Sequence, residues 1–284
     1  MSIPVPFSDI GKSVNDLLGK DYPTGAVKLE VKTTAANGVT FTVSGAQDNK
    51  TGAINAELKS KYNDVKNGVT YTEGWTTSNL ITSQVEIKDK IQGLKVDVFG
   101  SLLPTVGSKN VKVSLEYKQP KVFTRANVDL LKGPVFQADA VVGQDGILIG
   151  GEVGYDTLGA KVTKYNATLG YVALDHAITL QATSALSVFS ASYYHRVNLD
   201  VEAGAKAVWD SKAPQSPIAL EVGTKYFLDK DTFVKAKINN TGILGLAYTQ
   251  AIRRGVKVSV AGTFDTARLN ENAHKLGLSV VFEN

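Results

Sequence analysis

The sequence contains no cysteine, so the chain can form neither disulfide bonds nor thiolate metal sites. It has only three histidines, and His176, His195 and His274 are too widely spaced to match a metal-ligand pattern. We therefore expect no metal site. The sequence also lacks a nucleophile elbow, and its glycine-rich stretch at 150–154 is not followed by the helix that a phosphate-binding loop requires. These absences argue against an enzyme.

Long hydrophobic runs are also absent. A membrane-spanning helix needs about 20 consecutive, mostly apolar residues. Charged residues instead recur every few positions up to about residue 166, and uncharged polar residues interrupt the chain from there to His195. Helical membrane proteins are thereby excluded. A β-barrel is not, because its lipid-facing residues alternate with polar ones and dilute the average hydropathy.

The N-terminus has no apolar secretory segment, which argues against a bacterial outer-membrane porin or a secreted barrel. It contains Asp9 and Asp16, and the first arginine is Arg125, so it does not match a cleavable mitochondrial presequence. The net charge of +4 is spread mainly over lysines, without a dense basic patch and interleaved aromatics. We therefore expect no nucleic-acid partner.

The first 25 residues predict one short amphipathic helix over about 8–20. Ser8 can cap its start, and Pro23 and Gly25 follow its end. Apolar residues recur at positions i, i+4, i+7 and i+8, and charged residues form an i, i+4, i+8 row on another face. The apolar stripe is Ile10, Val14, Leu17 and Leu18; the charged row is Lys12, Asp16 and Lys20.

From residue 26 onward the hydrophobic period changes to two. Apolar and polar residues alternate in 26–34, 38–45, 53–62, 94–99, 111–118 and 275–282, and turn signals such as Asn37-Gly38 and Asp145-Gly146 separate such runs. Each run predicts a strand with one apolar and one polar face. The number of strands is well over ten, with no linker between them, so we predict one barrel domain over 1–284, with a helical segment at about 1–25 and the wall at about 26–284.

Two constraints favour a closed, membrane-spanning barrel over a β-sandwich. An open sheet of more than about ten strands tends to curl or split, and closure removes its edges. A barrel this wide cannot be filled by side chains, so its lumen must contain water. Lysine and glutamate at mid-strand cannot form a dry core. The charged faces therefore point inward to water and the apolar faces outward to lipid.

Several segments resemble the mitochondrial outer-membrane porins, the family of voltage-dependent anion channels, over the whole chain. The start of the chain resembles the family's N-terminal helix, and 130–134 resembles its mid-barrel turn. The matching segments are Phe7-Ser8-Asp9-Ile10-Gly11-Lys12, Asn15-Asp16-Leu17-Leu18, Leu130-Leu131-Lys132-Gly133-Pro134, Tyr226-Phe227-Leu228-Asp229, Val234–Asn240 and Gly245–Tyr248. Lys230 departs from the small or acidic residue usual there. His274-Lys275-Leu276-Gly277-Leu278 through Phe282 resembles the C-terminal sorting signal of mitochondrial barrels, whose matching residues are Lys275, Gly277, Val280 and Phe282.

This resemblance implies more than the pattern gives. It implies nineteen strands and a location in the mitochondrial outer membrane. With no soluble core to pack on, the helix is expected inside the pore, its apolar stripe on the inner wall and its charged row toward the water path. A helix lying on the membrane surface is the alternative. The resemblance also implies a voltage-gated, weakly anion-selective channel for ions and small metabolites, with ATP and ADP as permeants and no cofactor. The partners it implies are the lipid bilayer, hexokinase-like enzymes and other copies of the chain.

Candidate pore-lining charges follow from strand parity and from the charged row of the helix. They are Lys12, Asp16, Lys20, Lys61, Lys95, Lys112, Arg125, Lys235 and Lys237. Together with the inward acidic residues they sum to a modest positive excess, which predicts a weak preference for anions that salt easily screens. We expect Lys12 and Lys20 to matter most, because a helix inside the lumen narrows the path beside them.

Glu73 stands apart from the other acidic residues. The outward parity of its strand includes Tyr71 and Trp75, so its carboxylate would face lipid, at a cost of order a few kcal/mol at mid-depth. It should then be protonated, paired or near a thinned bilayer, unless a bulge at Gly74 turns it inward. Some members of the family that the chain resembles carry a glutamate at this position, and there it is linked to gating motion and partner binding.

Two further alternatives stay open beside the channel. A soluble β-rich binding protein would extract without detergent and would not conduct. The protein-import barrel of the same membrane shares the architecture, but typically carries a longer N-terminal extension, so the early helix and the terminal motif fit the metabolite channel better.

Overall fold

A computed structural model describes residues 4–88, 90–131, 133–213, 215, 217–271 and 273–284. Nineteen β-strands form a single sheet in which every strand pairs with its neighbour in sequence, and β1 also pairs with β19. All consecutive pairs are antiparallel, whereas the closing β1–β19 pair is parallel, as an odd number of strands requires. The predicted closed all-β barrel of about nineteen strands is confirmed.

The wall begins directly after the N-terminal segment. Its strands are β1 Ala26–Thr34, β2 Thr40–Asp48, β3 Ile54–Asp64, β4 Val69–Thr76, β5 Ile81–Lys88, β6 Leu94–Leu103, β7 Ser108–Lys118, β8 Val122–Asp129, β9 Val135–Gln144, β10 Ile147–Asp156, β11 Lys161–Val172, β12 His176–Thr183, β13 Val188–Arg196, β14 Val201–Asp210, β15 Ala219–Phe227, β16 Thr232–Asn239, β17 Ile243–Arg253, β18 Val256–Asp265 and β19 Lys275–Glu283. Lys132, part of the predicted turn at 130–134, lies outside the described residues.

The N-terminal segment is helical, but not as one continuous helix over 8–20. A 3₁₀ turn, Phe7–Asp9, precedes the α-helix α1, Lys12–Gly19. Gly11 separates them with a φ of 82°, a left-handed conformation that glycine adopts without steric cost. Ser8 makes no capping bond, so that expectation was wrong; its hydroxyl lies 3.5 Å from the Asp9 carboxylate. Among the described residues no helix is long and apolar enough to cross a bilayer.

Apolar side chains cover the outside of the wall, as the period-two pattern predicts. Leu29, Leu180 and Trp75 are 48%, 50% and 58% exposed, and the outward positions of their strands are largely apolar. This surface suits lipid, since a bilayer leaves no water to satisfy an open sheet edge or a polar outer face. The dry core lies inside the barrel, beneath the N-terminal segment, where Phe7 and Ile10 pack against Phe123, Val141 and Leu148.

The seam between the first and last strands is held by side chains and by the passing linker. An ion pair joins Lys32 to Glu283, neighbours in the parallel register. The linker from α1 to β1 crosses the inner face of β19, where the Gly25 amide donates to the Leu276 carbonyl over 3.1 Å. A Cβ added at Gly277 would overlap the Pro23 carbonyl, so only glycine lets the linker pass this close.

We expect Gly277→Ala to lower the unfolding free energy of the refolded barrel by about 1–3 kcal/mol, because the linker or strand must shift to admit the methyl group. Denaturant unfolding in detergent, followed by tryptophan fluorescence, measures the change. Gly100→Ala is the control, since its nearest neighbour is a carbonyl oxygen at an ordinary 3.8 Å. Equal stability of the two variants would contradict the assignment.

Candidate functional site: the lumen and its docked helix

The apolar stripe of α1 rests on the inner wall. Val14, Leu17 and Leu18 are at most 3% exposed, and α1 contacts β13, β14 and β15. Three wall glycines leave room for the N-terminal segment, two of them beneath α1. A Cβ at Gly204 would lie 2.8 Å from Leu17 Cδ2, and one at Gly223 would lie 2.7 Å from Leu18 Cδ2.

The third glycine, Gly170 in β11, makes the same kind of contact with Ile10, at 3.1 Å from its Cγ2 atom. We call Gly170, Gly204 and Gly223 the glycine seat. None of these three glycines was among the predicted site residues. Glycine inside a strand often marks a close approach to another element, so that signal was present. What approaches, however, depends on the closed barrel.

Two lysines of the wall, Lys235, which is buried, and Lys237, which is half-buried, hold the end of the helix. Lys235 Nζ donates to the backbone carbonyls of Asp16 and Lys20 over 2.9 and 2.8 Å, and Lys237 Nζ donates to the Leu18 carbonyl over 2.6 Å. The last carbonyls of a helix have no partner within it, and they carry the negative end of its dipole. The two ammonium groups satisfy both needs, so these side chains act as C-terminal caps supplied by the wall.

Asp21 completes this attachment just after the helix. Its carboxylate lies 3.0 Å from Lys257 Nζ and 3.6 Å from Lys235 Nζ. Burial alone would raise the pKa of Asp21, but the hydrogen bond and charge of Lys257, with the charges of Lys235 and Lys20, outweigh it and hold this pKa below its ordinary value. The attachment is therefore present above the ordinary carboxyl range and weakens as the pH falls through the lowered pKa.

Lys235 and Lys237 consequently differ from the prediction. Both lie on the inner face, as parity predicts, but Lys235 is only 4% exposed and Lys237 also pairs with Glu221 over 3.0 Å. Their charges bind the helix rather than standing free in the water path. Strand parity gives a side chain's face and cannot give the element that covers it.

The charged row of α1 points into the open lumen. Lys12 and Asp16 side chains are 61% and 46% exposed and 4.0 Å apart, and Lys20 is exposed. Lys61 and Lys112 are exposed on the inner face of the wall, opposite in parity to outward residues such as Leu58 and Leu115. Among the described residues, neither Lys20 nor Lys61 forms an ion pair, although the charge of Lys20 also acts on Asp21.

The remaining predicted charges are paired on the inner face. Lys95 lies between Glu86 and Glu116, at 3.4 and 3.7 Å. Arg125 donates to Asp139 over 2.8 Å, and that carboxylate is almost fully enclosed. A pair of opposite charges has a much weaker field at a distance than either charge alone. The positive excess of the lumen therefore rests mainly on the helix row and the unpaired wall lysines.

Glu73 lies on the outer face of the wall. β4 pairs with β3 and β5 in unbroken register, with Ser60 and Ser83 as the neighbours of Glu73, so no bulge turns it inward. Tyr71 and Trp75 share its face and are 47% and 58% exposed. No ion pair within the described residues reaches its carboxylate. The alternative of a bulge at Gly74 was wrong.

The terminal motif is divided between the two faces of β19. Parity places Val280 and Phe282 outward, beside Leu29 and Val31 of β1, and places Lys275 and Gly277 inward. The outward pair is part of the apolar outer surface of the wall. Gly277 has the additional, local task of admitting the linker described above.

Comparisons with known proteins agree with this geometry. The eukaryotic porin family matches residues 3–277. The mitochondrial outer membrane porin of Neurospora crassa is 44% identical over 286 residues, covering 100% of both chains. The non-selective voltage-gated ion channel 1 of Saccharomyces cerevisiae is 35% identical over 285 residues, also covering 100% of both. A solved triple mutant of the Rhodopseudomonas blastica porin has a TM-score of 0.50 at 10% identity, covering 91% of this chain and 96% of that one, a likeness of fold alone.

Removing the main cap should loosen the helix. We expect Lys235→Met to weaken docking by about 1.5–3 kcal/mol, because hydrogen bonds from a charged donor to two carbonyls are lost. A spin label on Ser13→Cys, exposed on α1 of a chain with no natural cysteine, reports this as increased mobility.

The matched control for this experiment is Lys225→Met. Lys225 is the cross-strand neighbour of Lys235, but its ammonium lies 4.1 Å from the Phe227 ring centroid instead of on the helix. In Lys225→Met, the spin label at position 13 should have the same mobility as in the labelled protein that keeps Lys225. A mobility unchanged by Lys235→Met would show that Lys235 is not needed to hold α1, and that the glycine seat and the remaining cap from Lys237 suffice.

Glu73→Gln should stabilise the barrel in a bilayer by on the order of 1 kcal/mol, because it removes a carboxylate from the lipid face. Urea unfolding from liposomes measures this difference. Glu57→Gln is the control, since Glu57 lies inside the lumen and pairs with Lys59 over 2.8 Å. A gain in stability for Glu57→Gln, with none for Glu73→Gln, would contradict the outward placement.

Proposed function

The chain belongs to the eukaryotic porin family, and on that premise we propose that it forms a weakly anion-selective, voltage-gated pore whose ion preference is set chiefly by the charged row of its docked helix. It is a channel of the mitochondrial outer membrane that passes ions and small metabolites, and not an enzyme. The observation that carries the proposal is that the two faces of α1 lie in opposite environments, one on the wall and one in water. Its apolar stripe is buried on the wall, and Lys12, Asp16 and Lys20 face water.

The weak anion preference follows from where unpaired charge remains. Lys20 projects from the helix and Lys61 and Lys112 from the wall, whereas Lys95 and Arg125 are neutralised by carboxylates. A wide, water-filled lumen screens such charges within about 8 Å at physiological salt, so the preference is modest for monovalent ions. A multivalent anion feels the same field several times over. ATP and ADP are the permeants proposed on this ground, and no cofactor is required.

The proposal also covers two features of the outer surface, Glu73 and the terminal motif. The outward Glu73, flanked by Ser60 and Ser83, interrupts an otherwise largely apolar surface. We propose that it takes part in gating motion and in contacts with hexokinase-like enzymes or other copies of the chain. For the terminal motif we propose that Lys275, Gly277, Val280 and Phe282 act as the sorting signal. Val280 and Phe282 face outward, and this supports their recognition as the part of the signal that an apolar surface can contact.

The two alternative functions have less support. A soluble β-rich binding protein would not carry an apolar outer wall such as the one formed around Leu29, Trp75 and Leu180. The protein-import barrel is disfavoured by the named relatives, which are mitochondrial porins and ion channels over their full length.

Current recorded across a planar lipid bilayer in a salt gradient tests the proposal. We expect large conductance steps, a reversal potential of the sign for anions, and closure at high voltage of either polarity. Lys20→Glu should shift the reversal potential toward that of cations and lower ATP permeability several-fold, since unit charges 4 Å apart in water interact by about 1 kcal/mol.

The control for charge alone is Lys66→Glu. Lys66 carries the same charge and is exposed, but it lies in the turn between β3 and β4, away from the helix. We expect a much smaller shift. Equal shifts from both substitutions would show that net charge, and not the helix row, sets selectivity, and absence of conductance from folded protein would refute the channel.

A further inference from the structure

Three potential metal ligands meet at one end of the barrel. β12 and β13 pair in a register that places His176 directly across from His195, and Asp175 precedes His176 in the turn after β11. One ligand atom from each residue lies within 4.8 Å of the other two. The two histidines are 19 positions apart in sequence, so their spacing gave no indication of this cluster.

The cluster lies on the outer surface of the wall, at its rim. His176 and His195 share the parity of Ile178 and Tyr193, which are 43% and 45% exposed and face outward. Asp175 lies beyond the strand and is exposed. Water and ions therefore reach the cluster from the solution side without entering the lumen.

The side chains are already partly arranged as a ligand set. His176 Nδ1 lies 2.7 Å from Asp175 Oδ1, and the two imidazole centroids are 6.5 Å apart. Tyr193 stacks on His195 with centroids 6.1 Å apart, which restricts the ring. His195 Nδ1 is buried and has no hydrogen-bond partner among the described residues. A buried polar atom without a partner is uncommon and calls for one.

The chemistry of the three groups matches a borderline transition-metal ion. Zinc takes imidazole nitrogen and carboxylate oxygen at about 2.0–2.2 Å, which places tetrahedral ligands roughly 3.3 Å from one another. Small side-chain rotations at the rim close the gap from the present separation. Three protein ligands leave a fourth position for water. Imidazoles also suit Cu²⁺, which binds nitrogen sites more tightly than zinc does.

We propose that Asp175, His176 and His195 form a binding site for a divalent transition-metal ion, Zn²⁺ or Cu²⁺, on the outer rim of the barrel. The ion bridges β12 to β13 and ties the β11–β12 turn to both. The site is independent of conduction through the lumen.

Metal titration of the untagged, refolded full-length chain tests the proposal. Zn²⁺ competition against a chromogenic chelator should show one site per chain. His176→Gln and His195→Gln should each weaken it at least about tenfold. His274→Gln is the matched control, because the third histidine lies in the segment before β19, where its Nε2 is 3.0 Å from the Leu269 carbonyl. The Zn²⁺ affinity of the His274→Gln variant should equal that of the unsubstituted chain.

Electron paramagnetic resonance of bound Cu²⁺ gives a second, independent readout of the ligands. The unsubstituted protein should show superhyperfine splitting from two imidazole nitrogens, reduced to one in either rim variant. Conductance steps identical to those of the unsubstituted channel establish that the variants are folded. A spectrum without two-nitrogen coupling, absence of a Zn²⁺ site, or equal loss in His274→Gln would overturn the proposal, leaving Asp175 and His176 as a structural hydrogen-bonded pair.

Discussion

Backbone hydrogen bonding within the wall is the constraint on which this structure depends. A bilayer offers no water to an unpaired amide or carbonyl, so a sheet that crosses it must have no open edge. Nineteen strands meet this requirement only if the first and last run parallel, and β1 and β19 do so from Val27 to Lys32. The crowded seam, with its lysine–glutamate pair and the glycine beneath the linker, is where the odd strand number is accommodated.

Closure on this scale leaves a lumen too wide for side chains to fill, and so the usual relation of core and surface is inverted. The apolar residues of the wall face outward, and the dry interior is limited to the patch that the N-terminal segment covers. Within that patch, both steric fit and charge hold the helix. The glycine seat admits the leucines of α1, while Lys235 and Lys237 satisfy the carbonyls at its end. A helix held by a few buried contacts is well attached, yet it still exposes a charged face to the water path.

The electrostatics of the lumen depend on pairing more than on the number of charges. Lysines and carboxylates alternate on neighbouring strands, and many of them neutralise one another across the sheet, as Lys95 does with Glu86 and Glu116. A weak and easily screened preference is the expected result for a pore that must pass many metabolites. Strong selectivity would require unpaired charges of one sign around a narrow ring, and the described lining does not provide them.

The sequence by itself determined the features that depend on local periodicity. These are the alternating strands, an amphipathic helix predicted at about 8–20 and found at Lys12–Gly19, the inward face of the charged residues and the outward parity of Glu73. The resemblance to the porin family added the strand number. Only the tertiary structure decided the contacts between residues that are distant in sequence. These contacts arise from strand register and barrel closure, and no local hydrophobic period predicts them. The capping of α1 by Lys235, the passage of Pro23 over Gly277 and the meeting of His176 with His195 each join segments that nothing in their own sequence brings together.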